Sequence, residues 1–218
     1  MILELSEKLP ADCTLHVKET GEKVELPASK IVVLDTCTVF PSMFPPEMRK
    51  SDVIANYIEE LRPKFQKNPY LHSEQIKIEE RRIKLVNAME KGEFQKHGIY
   101  PGITNSVHGD LKFFEKIFKI KNVDRFWGNA SDDRYYAIFL PVEDLRRCYK
   151  PFSEAFKENS DFSVAVASYL LGCDFASGDY TSFKQASMNM FKKAYFERWG
   201  SKKRFLRHDA EALLMRLK

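Results

Sequence analysis

The apolar and polar residues of the chain repeat with two different periods, and the shorter period predicts strands. Residues 31–34 are continuously apolar and are followed by a lone acid, Asp35. This pattern is typical of a strand that is covered on both faces in a parallel sheet. Apolar runs at 98–104 and 134–142 predict two further strands, and residues 173–179 predict a short one.

Apolar residues spaced three and four positions apart predict helices between these strands. Ser51 and Ser73 can each cap a charged helix, and Ser160 with Asp161 can cap a helix rich in small residues. Further helices are predicted within 105–121, 141–160, 180–200 and the C-terminal residues. Strands that alternate with helices indicate an α/β fold with a central, mainly parallel sheet flanked by helices.

The 218 residues suit a single domain, 1–218, with three additions to the α/β core. Residues 14–28 alternate in polarity around Thr20-Gly21, which predicts a β-hairpin within an N-terminal extension, 1–29. The charged helical pair forms an insertion at about 44–97. A basic helix is predicted at about 200–218.

Charge and cysteine content narrow the function classes only slightly. The net charge is +4, and basic stretches such as 112–125 and 192–208 contain aromatic residues. Such stretches suit phosphate contact and base stacking, but solvated helix faces look the same. The four cysteines include no C-x-x-C pair, so neither a zinc knuckle nor a redox motif is expected. No apolar run approaches the ~18 residues of a membrane span, and the N-terminus does not resemble a signal peptide, so we expect a cytoplasmic protein without membrane contact.

Four acids occupy equivalent places, at the ends of strands or the starts of the helices that follow. They are Asp35, Asp110, Asp161 and Asp179. Each one alone could be a helix cap or a favourable charge at a helix start. In an open α/β sheet, however, ligands bind outside the carboxyl ends of the strands, so acids placed there can converge. Clustered carboxylates repel one another, and an all-oxygen set favours Mg²⁺ or Mn²⁺.

Three segments resemble the PIN-domain ribonucleases, a family that includes the toxins of many toxin–antitoxin pairs. They are "IVVLDTCTVF", "GITNSVHGDL" and "SDFSVAVASYLLGCDFASGDYTSF". The chain departs from the family at two positions and also in the stretch between the first two motifs, which is much longer than in the compact members. Asp110 stands where the family usually has glutamate, and Tyr180-Thr181-Ser182 stand where a second acid commonly follows the last motif.

The resemblance implies a PIN-like three-layer fold and an Mg²⁺- or Mn²⁺-dependent endoribonuclease that cleaves RNA phosphodiester bonds. The metal ligands and catalytic acids would be Asp35, Asp110, Asp161 and Asp179. Thr36 and Ser177 would orient these carboxylates or bind a metal-bound water. From charge alone, the candidates for phosphate contact are Lys112, Arg204 and Arg207. Besides RNA, the implied partners are a cognate antitoxin or another protein, and a second copy of the chain.

Two alternatives stay open on the residues. One is a catalytically inactive PIN-like domain that binds RNA or a protein, which the two departures favour. The other is a haloacid-dehalogenase-type phosphatase, whose first motif also places an aspartate after an apolar strand. That motif needs a second acid two residues later, where this chain has Cys37.

Overall fold

A computed structural model describes residues 2–4, 15–17, 23–24, 30–61, 69–120, 136–179, 181–200 and 206–218. Within these ranges the strands form a single sheet, and helices lie against it.

The sheet contains eight described strands, and most of them run parallel. In chain order they are β1 (Ile2–Glu4), β2 (Leu15–Val17), β3 (Lys23–Val24), β4 (Ile31–Leu34), β5 (Tyr100–Thr104), β6 (Tyr136–Phe139), β7 (Asp174–Ala176) and β8 (Arg207–His208). Their spatial order is β3-β2-β1-β6-β5-β4-β7-β8. Every neighbouring pair from β1 to β8 is parallel, whereas β2 is antiparallel to both β1 and β3.

This topology confirms the predicted α/β class with a mainly parallel sheet. The antiparallel β2–β3 pair fits the hairpin predicted in residues 14–28, although its turn lies outside the described residues. The helices of the described ranges are α1 (Thr36–Val39), α2 (Ser51–Leu61), α3 (Pro69–Glu90), α4 (Glu93–Lys96), α5 (Asn105–Phe118), α6 (Val142–Cys148), α7 (Lys150–Ala155), α8 (Asn159–Leu171), α9 (Gln185–Trp199) and α10 (Ala210–Met215). Two 3₁₀ turns, Phe40–Met43 and Pro46–Met48, follow α1.

The order of the parallel strands reverses direction once, between β4 and β7. From β4 the chain adds β5 and β6 on one side and then returns to add β7 and β8 on the other. A crevice opens at such a reversal, outside the carboxyl ends of the two central strands. β4 is buried along its whole length, and α8 contacts β4, β5 and β7. The small residues of α8, such as Ala165 and Ala167, allow this close packing because they add little side-chain volume.

The helical segment predicted at 44–97 shares the hydrophobic core of the sheet. Leu85 and Met89 of α3 are buried in the same cluster as β4. Arg49 joins the beginning of this segment to the end of α3, because its guanidinium donates two hydrogen bonds of 2.6 Å to the Glu90 carboxylate. Its Nε also donates to the Phe44 carbonyl at 2.8 Å. The status of 44–97 as an insertion stays a prediction.

The C-terminal segment differs from the basic helix predicted at about 200–218. Arg207 and His208 form β8 at the edge of the sheet, paired with β7. The following helix begins only at Ala210, because the Asp209 side chain accepts a hydrogen bond from the Ala212 amide at 2.8 Å and caps it. Residues 201–205 lie outside the described ranges.

Two helix starts also differ from the sequence prediction. α8 begins at Asn159 with Glu158 in the capping position, so Asp161 lies inside the first turn instead of capping the helix. α9 begins at Gln185, not near residue 180. In addition, β7 ends at Ala176, and Asp179 lies in the loop that follows.

We expect Arg49→Met to lower the free energy of unfolding by about 2–4 kcal/mol, because it removes the buried guanidinium that pairs with Glu90 and donates to the Phe44 carbonyl. The Arg49 side chain is only 2% exposed. A matched control is Lys77→Met, which breaks an exposed pair with Glu74 and should change stability by less than about 0.5 kcal/mol. Chemical denaturation measures both, and equal effects would contradict the structural importance of the Arg49–Glu90 pair.

Candidate functional site

Asp35 lies at the carboxyl end of β4, and its side chain is surrounded by hydrogen-bond donors. The residue is 2% exposed. Its Oδ1 accepts from the Thr36 amide at 2.7 Å, which caps α1. Its Oδ2 accepts from Ser177 Oγ at 2.6 Å and from Cys37 Sγ at 3.1 Å. Asp35 therefore joins the ends of β4 and β7, the two strands between which the sheet order reverses.

Asp110 is delivered by the second turn of α5. The N-terminus of this helix is capped by Thr104, whose Oγ1 accepts from the Val107 amide and lies 2.6 Å from Ser163 Oγ of α8. These contacts hold the start of α5 against α8. Thr36 Oγ1 then donates to Asp110 Oδ2 at 3.1 Å. Because the Thr36 amide donates to Asp35, this one residue links two of the acids.

Asp179 belongs to the loop that follows β7; the described residues of this loop, 177–179 and 181–183, are called the acid loop. Its Oδ1 accepts from the amides of Thr181 and Ser182 at 2.7 and 3.2 Å, and its Oδ2 accepts from Ser182 Oγ at 3.0 Å. The Asp179 amide donates to Ser177 Oγ at 3.0 Å. Ser177 therefore links Asp179 to Asp35 through a single hydroxyl group.

Asp161 completes the cluster from the first turn of α8, where it is 5% exposed. The Ser182 hydroxyl contacts its carboxyl group as well as that of Asp179. Burial, with the charges of Asp35, Asp179 and Glu158 adding to it, raises the pKa of Asp161 to about 7. The four predicted acids therefore occupy one region at the carboxyl edge of the sheet.

The buried Asp35 and the half-buried Asp110 have raised pKa values for the same two reasons. Burial raises the pKa of Asp35 above its ordinary value, and the charge of Asp179 raises it further, although hydrogen bonds from Ser177, Cys37 and the Thr36 amide oppose the shift. Burial likewise raises the pKa of Asp110, with the charge of Glu158 adding to it. The cluster is thus under electrostatic strain when all its members are ionised.

Two neighbours of the cluster were not found by sequence reasoning. Glu158 acts electrostatically on both Asp110 and Asp161, and it went unnoticed because α8 was expected to begin two residues later. Arg82 of α3 lies against the acid loop, since a Cβ atom built on Gly178 would come within 2.9 Å of its Nη2. Its Nη1 pairs with Glu79 at 2.6 Å. Only the fold brings α3 to this point, so no local pattern could have indicated Arg82.

The three residues predicted from charge to contact phosphate have different outcomes. Lys112 forms an ion pair of 3.5 Å with Glu115 on its own helix. Arg204 lies outside the described residues. Arg207 directs its guanidinium at the main chain of the acid loop, where it donates to the carbonyls of Phe183, Ser177 and Asp179. The described contacts of Arg207 are therefore those of a structural anchor.

A groove of about 570 Å³ begins at Asp161 and runs between the loop before α8 and the start of α9. Its lining combines acidic residues, including Glu154 and Glu158, with the exposed lysines Lys157 and Lys184. The acidic cluster thus borders this groove on the Asp161 side.

No model of a protein family, no curated protein and no solved structure matches this chain. In the described ranges, no group of three or more His, Cys, Asp or Glu residues is arranged to hold a metal ion. Among the described helices, none has the length and apolar character needed to cross a membrane. The fold and the site define the chain as an α/β protein with clustered acids where its parallel sheet reverses order.

We expect Asp161→Asn to stabilise the metal-free protein at high pH but not at low pH. Because the pKa of Asp161 rises from 3.8 to about 7 on folding, its ionisation costs stability as the pH rises through this range, and the full cost is present above pH 7. Asn is neutral and can still accept a hydrogen bond. Chemical denaturation in EDTA should show a gain of roughly 1–3 kcal/mol at pH 8 and little gain at pH 4.

The control for this experiment is Asp144→Asn on α6, whose side chain is 62% exposed. It should leave the stability nearly unchanged at both pH values. An equal gain in the free energy of unfolding at pH 4 and pH 8 for Asp161→Asn would show that ionisation of Asp161 does not destabilise the folded protein.

Proposed function

We propose that the protein is a PIN-type, metal-dependent ribonuclease that hydrolyses RNA phosphodiester bonds. The observation that carries this proposal is the convergence of Asp35, Asp110, Asp161 and Asp179 from four separate segments onto one edge of the sheet. Each of the three segments that resemble the family contributes at least one of these acids. The meeting of chain segments that are far apart in sequence supports the proposal.

The chemistry of the donor set suits a hard divalent cation. Among the described residues, none of these four carboxylates forms an ion pair with a basic side chain, and the groups that contact them are hydroxyls, amides and one thiol. Burial and mutual repulsion disfavour their charged forms. Mg²⁺ or Mn²⁺ would relieve both effects, because it replaces lost hydration and neutralises the repulsion.

A divalent ion held by acids of this cluster would supply an activated water and would stabilise negative charge on the phosphate. The remaining roles fall to the chain itself. Thr36 and Ser177 hold the Asp35 carboxylate through the Thr36 amide and the Ser177 hydroxyl, and the Thr36 hydroxyl holds Asp110. These bonds fix the directions of the carboxylate oxygens, which is the task of a second layer of residues around a metal site. The proposed partners besides RNA are an antitoxin or other protein and a second copy of the chain.

A second candidate is a catalytically inactive PIN-like domain that binds RNA or a protein. It is favoured by the number of hydrogen bonds that the acids accept from the chain itself. The two oxygens of Asp179 accept three bonds in its own loop, so this part of the cluster is satisfied as a closed polar network. The two candidates differ in one testable respect, namely whether divalent metal produces cleavage.

We expect the wild-type protein to cleave labelled single-stranded RNA in the presence of Mn²⁺. Asp35→Asn should lower the rate at least about 100-fold, because it removes a charge at the centre of the cluster. Asp144→Asn, an exposed acid on α6, is the matched control and should cleave like wild type. RNA binding without cleavage by the wild type would instead favour the inactive domain.

Metal binding should also be visible without any substrate. At a Mn²⁺ concentration 100 times the Kd, the stabilisation is about 2.7 kcal/mol, which should raise the Tm by about 5–10 °C. We expect Asp161→Asn to lose most of this rise, as measured by differential scanning calorimetry with and without Mn²⁺. An equal rise in wild type and variant would mean that the ion binds elsewhere.

A further inference from the structure

The C-terminal strand β8 borders the acid loop, and the side chain of its first residue, Arg207, donates hydrogen bonds to main-chain carbonyls of that loop. β8 pairs with β7 in register, with Arg207 opposite Phe175 and His208 opposite Ala176. One step further, the Ser177 amide donates to the His208 carbonyl at 3.0 Å. The edge strand therefore holds the first residue of the acid loop, and it does so just before the chain turns towards Asp179.

The Arg207 side chain contacts the acid loop at three further points. Its Nη1 donates to the Phe183 carbonyl at 3.0 Å, and its Nη2 donates to the carbonyls of Ser177 and Asp179 at 3.3 and 3.2 Å. The guanidinium carbon also lies 5.6 Å from the centre of the Phe183 ring. One side chain thus contacts the beginning, the acid and the end of residues 177–183.

A planar guanidinium suits this task better than an ammonium group. It presents several N–H donors in fixed directions and can stack on an aromatic ring at the same time, whereas lysine carries a compact charge on a flexible stem. With the loop carbonyls fixed, the Thr181 and Ser182 amides point at the Asp179 carboxylate. The position of this carboxylate therefore depends on Arg207 through the main chain.

A second arginine has the same relation to the segment that leads to Asp161. Arg146 of α6 donates to the carbonyls of Phe156 and Lys157 and to the Asn159 side chain, and it lies 4.5 Å from the Phe162 ring. Arg146 thus contacts the segment before Asp161 as Arg207 contacts the acid loop, and each guanidinium lies over a phenylalanine ring. This repetition supports a positioning role for Arg207 and not one in phosphate contact.

We propose that Arg207 is a positioning residue, which fixes the acid loop and with it the position of the Asp179 carboxylate in the acidic cluster. Its importance for metal binding rests on the proposed function; its hold on the loop does not. Lysine at position 207 distinguishes a role in phosphate contact from a role in positioning the loop. A phosphate contact needs mainly charge, so Arg207→Lys would keep most of the RNA affinity, whereas a positioning role needs the forked donor.

The experiment compares Arg207→Met, Arg207→Lys and the control Arg216→Met with wild type. Arg216 lies in the same C-terminal segment, where its Nη1 is 3.8 Å from Asp174 Oδ2 and 3.5 Å from His208 Nε2, and in the described part of the chain no hydrogen bond joins it to residues of the acid loop. Hydrogen exchange of the peptide covering 177–183 is measured by mass spectrometry in EDTA, and Mn²⁺ affinity is measured by calorimetric titration. Circular dichroism checks that each variant is folded.

We expect Arg207→Met to speed exchange in 177–183 at least tenfold and to weaken Mn²⁺ binding at least tenfold. Arg207→Lys should recover little of either, and Arg216→Met should resemble wild type in both. Unchanged loop exchange in Arg207→Met would overturn the proposal, as would full recovery by Arg207→Lys. If wild type bound no Mn²⁺, the proposed function would fail, and the exchange measurement in EDTA would still decide whether Arg207 holds the loop.

Discussion

The Asp35 carboxyl group has to be accommodated at the buried end of β4, and much of the surrounding structure follows from this requirement. A buried carboxylate is costly unless hydrogen bonds or a counter-charge compensate for its lost hydration. Here the compensation comes from the Thr36 amide and the Ser177 hydroxyl, with Cys37 beside them. Ser177 can donate to Asp35 only because β7, which precedes it, lies next to β4. The strand order of the sheet therefore determines which groups surround Asp35.

The same hydrogen bonds extend the cluster beyond Asp35. The Thr36 hydroxyl donates to Asp110 on α5, and the Ser177 hydroxyl accepts from the Asp179 amide. The charges that converge in this way repel one another, and burial together with this repulsion raises the pKa of Asp161 to about 7. A site of this kind stores electrostatic free energy that a bound cation can release. This is the physical link between the fold and the proposed activity.

Sequence reasoning could predict the strands that deliver the acids because buried parallel strands are apolar along their whole length, as in Ile31–Leu34. It could also predict that Asp35 and Asp179 would meet, since acids after parallel strands share one edge of the sheet. The charge of Arg207 predicts phosphate contact, whereas its described partners include three main-chain carbonyls that only the β7–β8 pairing brings near. Whether the acids bind metal depends on competition between ions and hydrogen bonds, which no sequence pattern encodes.

A crystal structure of the wild-type protein soaked in Mn²⁺, with anomalous data, tests the central claim most directly. The account predicts an anomalous peak within about 2.2 Å of carboxylate oxygens from at least two of Asp35, Asp161 and Asp179. It would be contradicted by a soaked crystal in which these carboxylates keep their present hydrogen bonds and no peak lies among them.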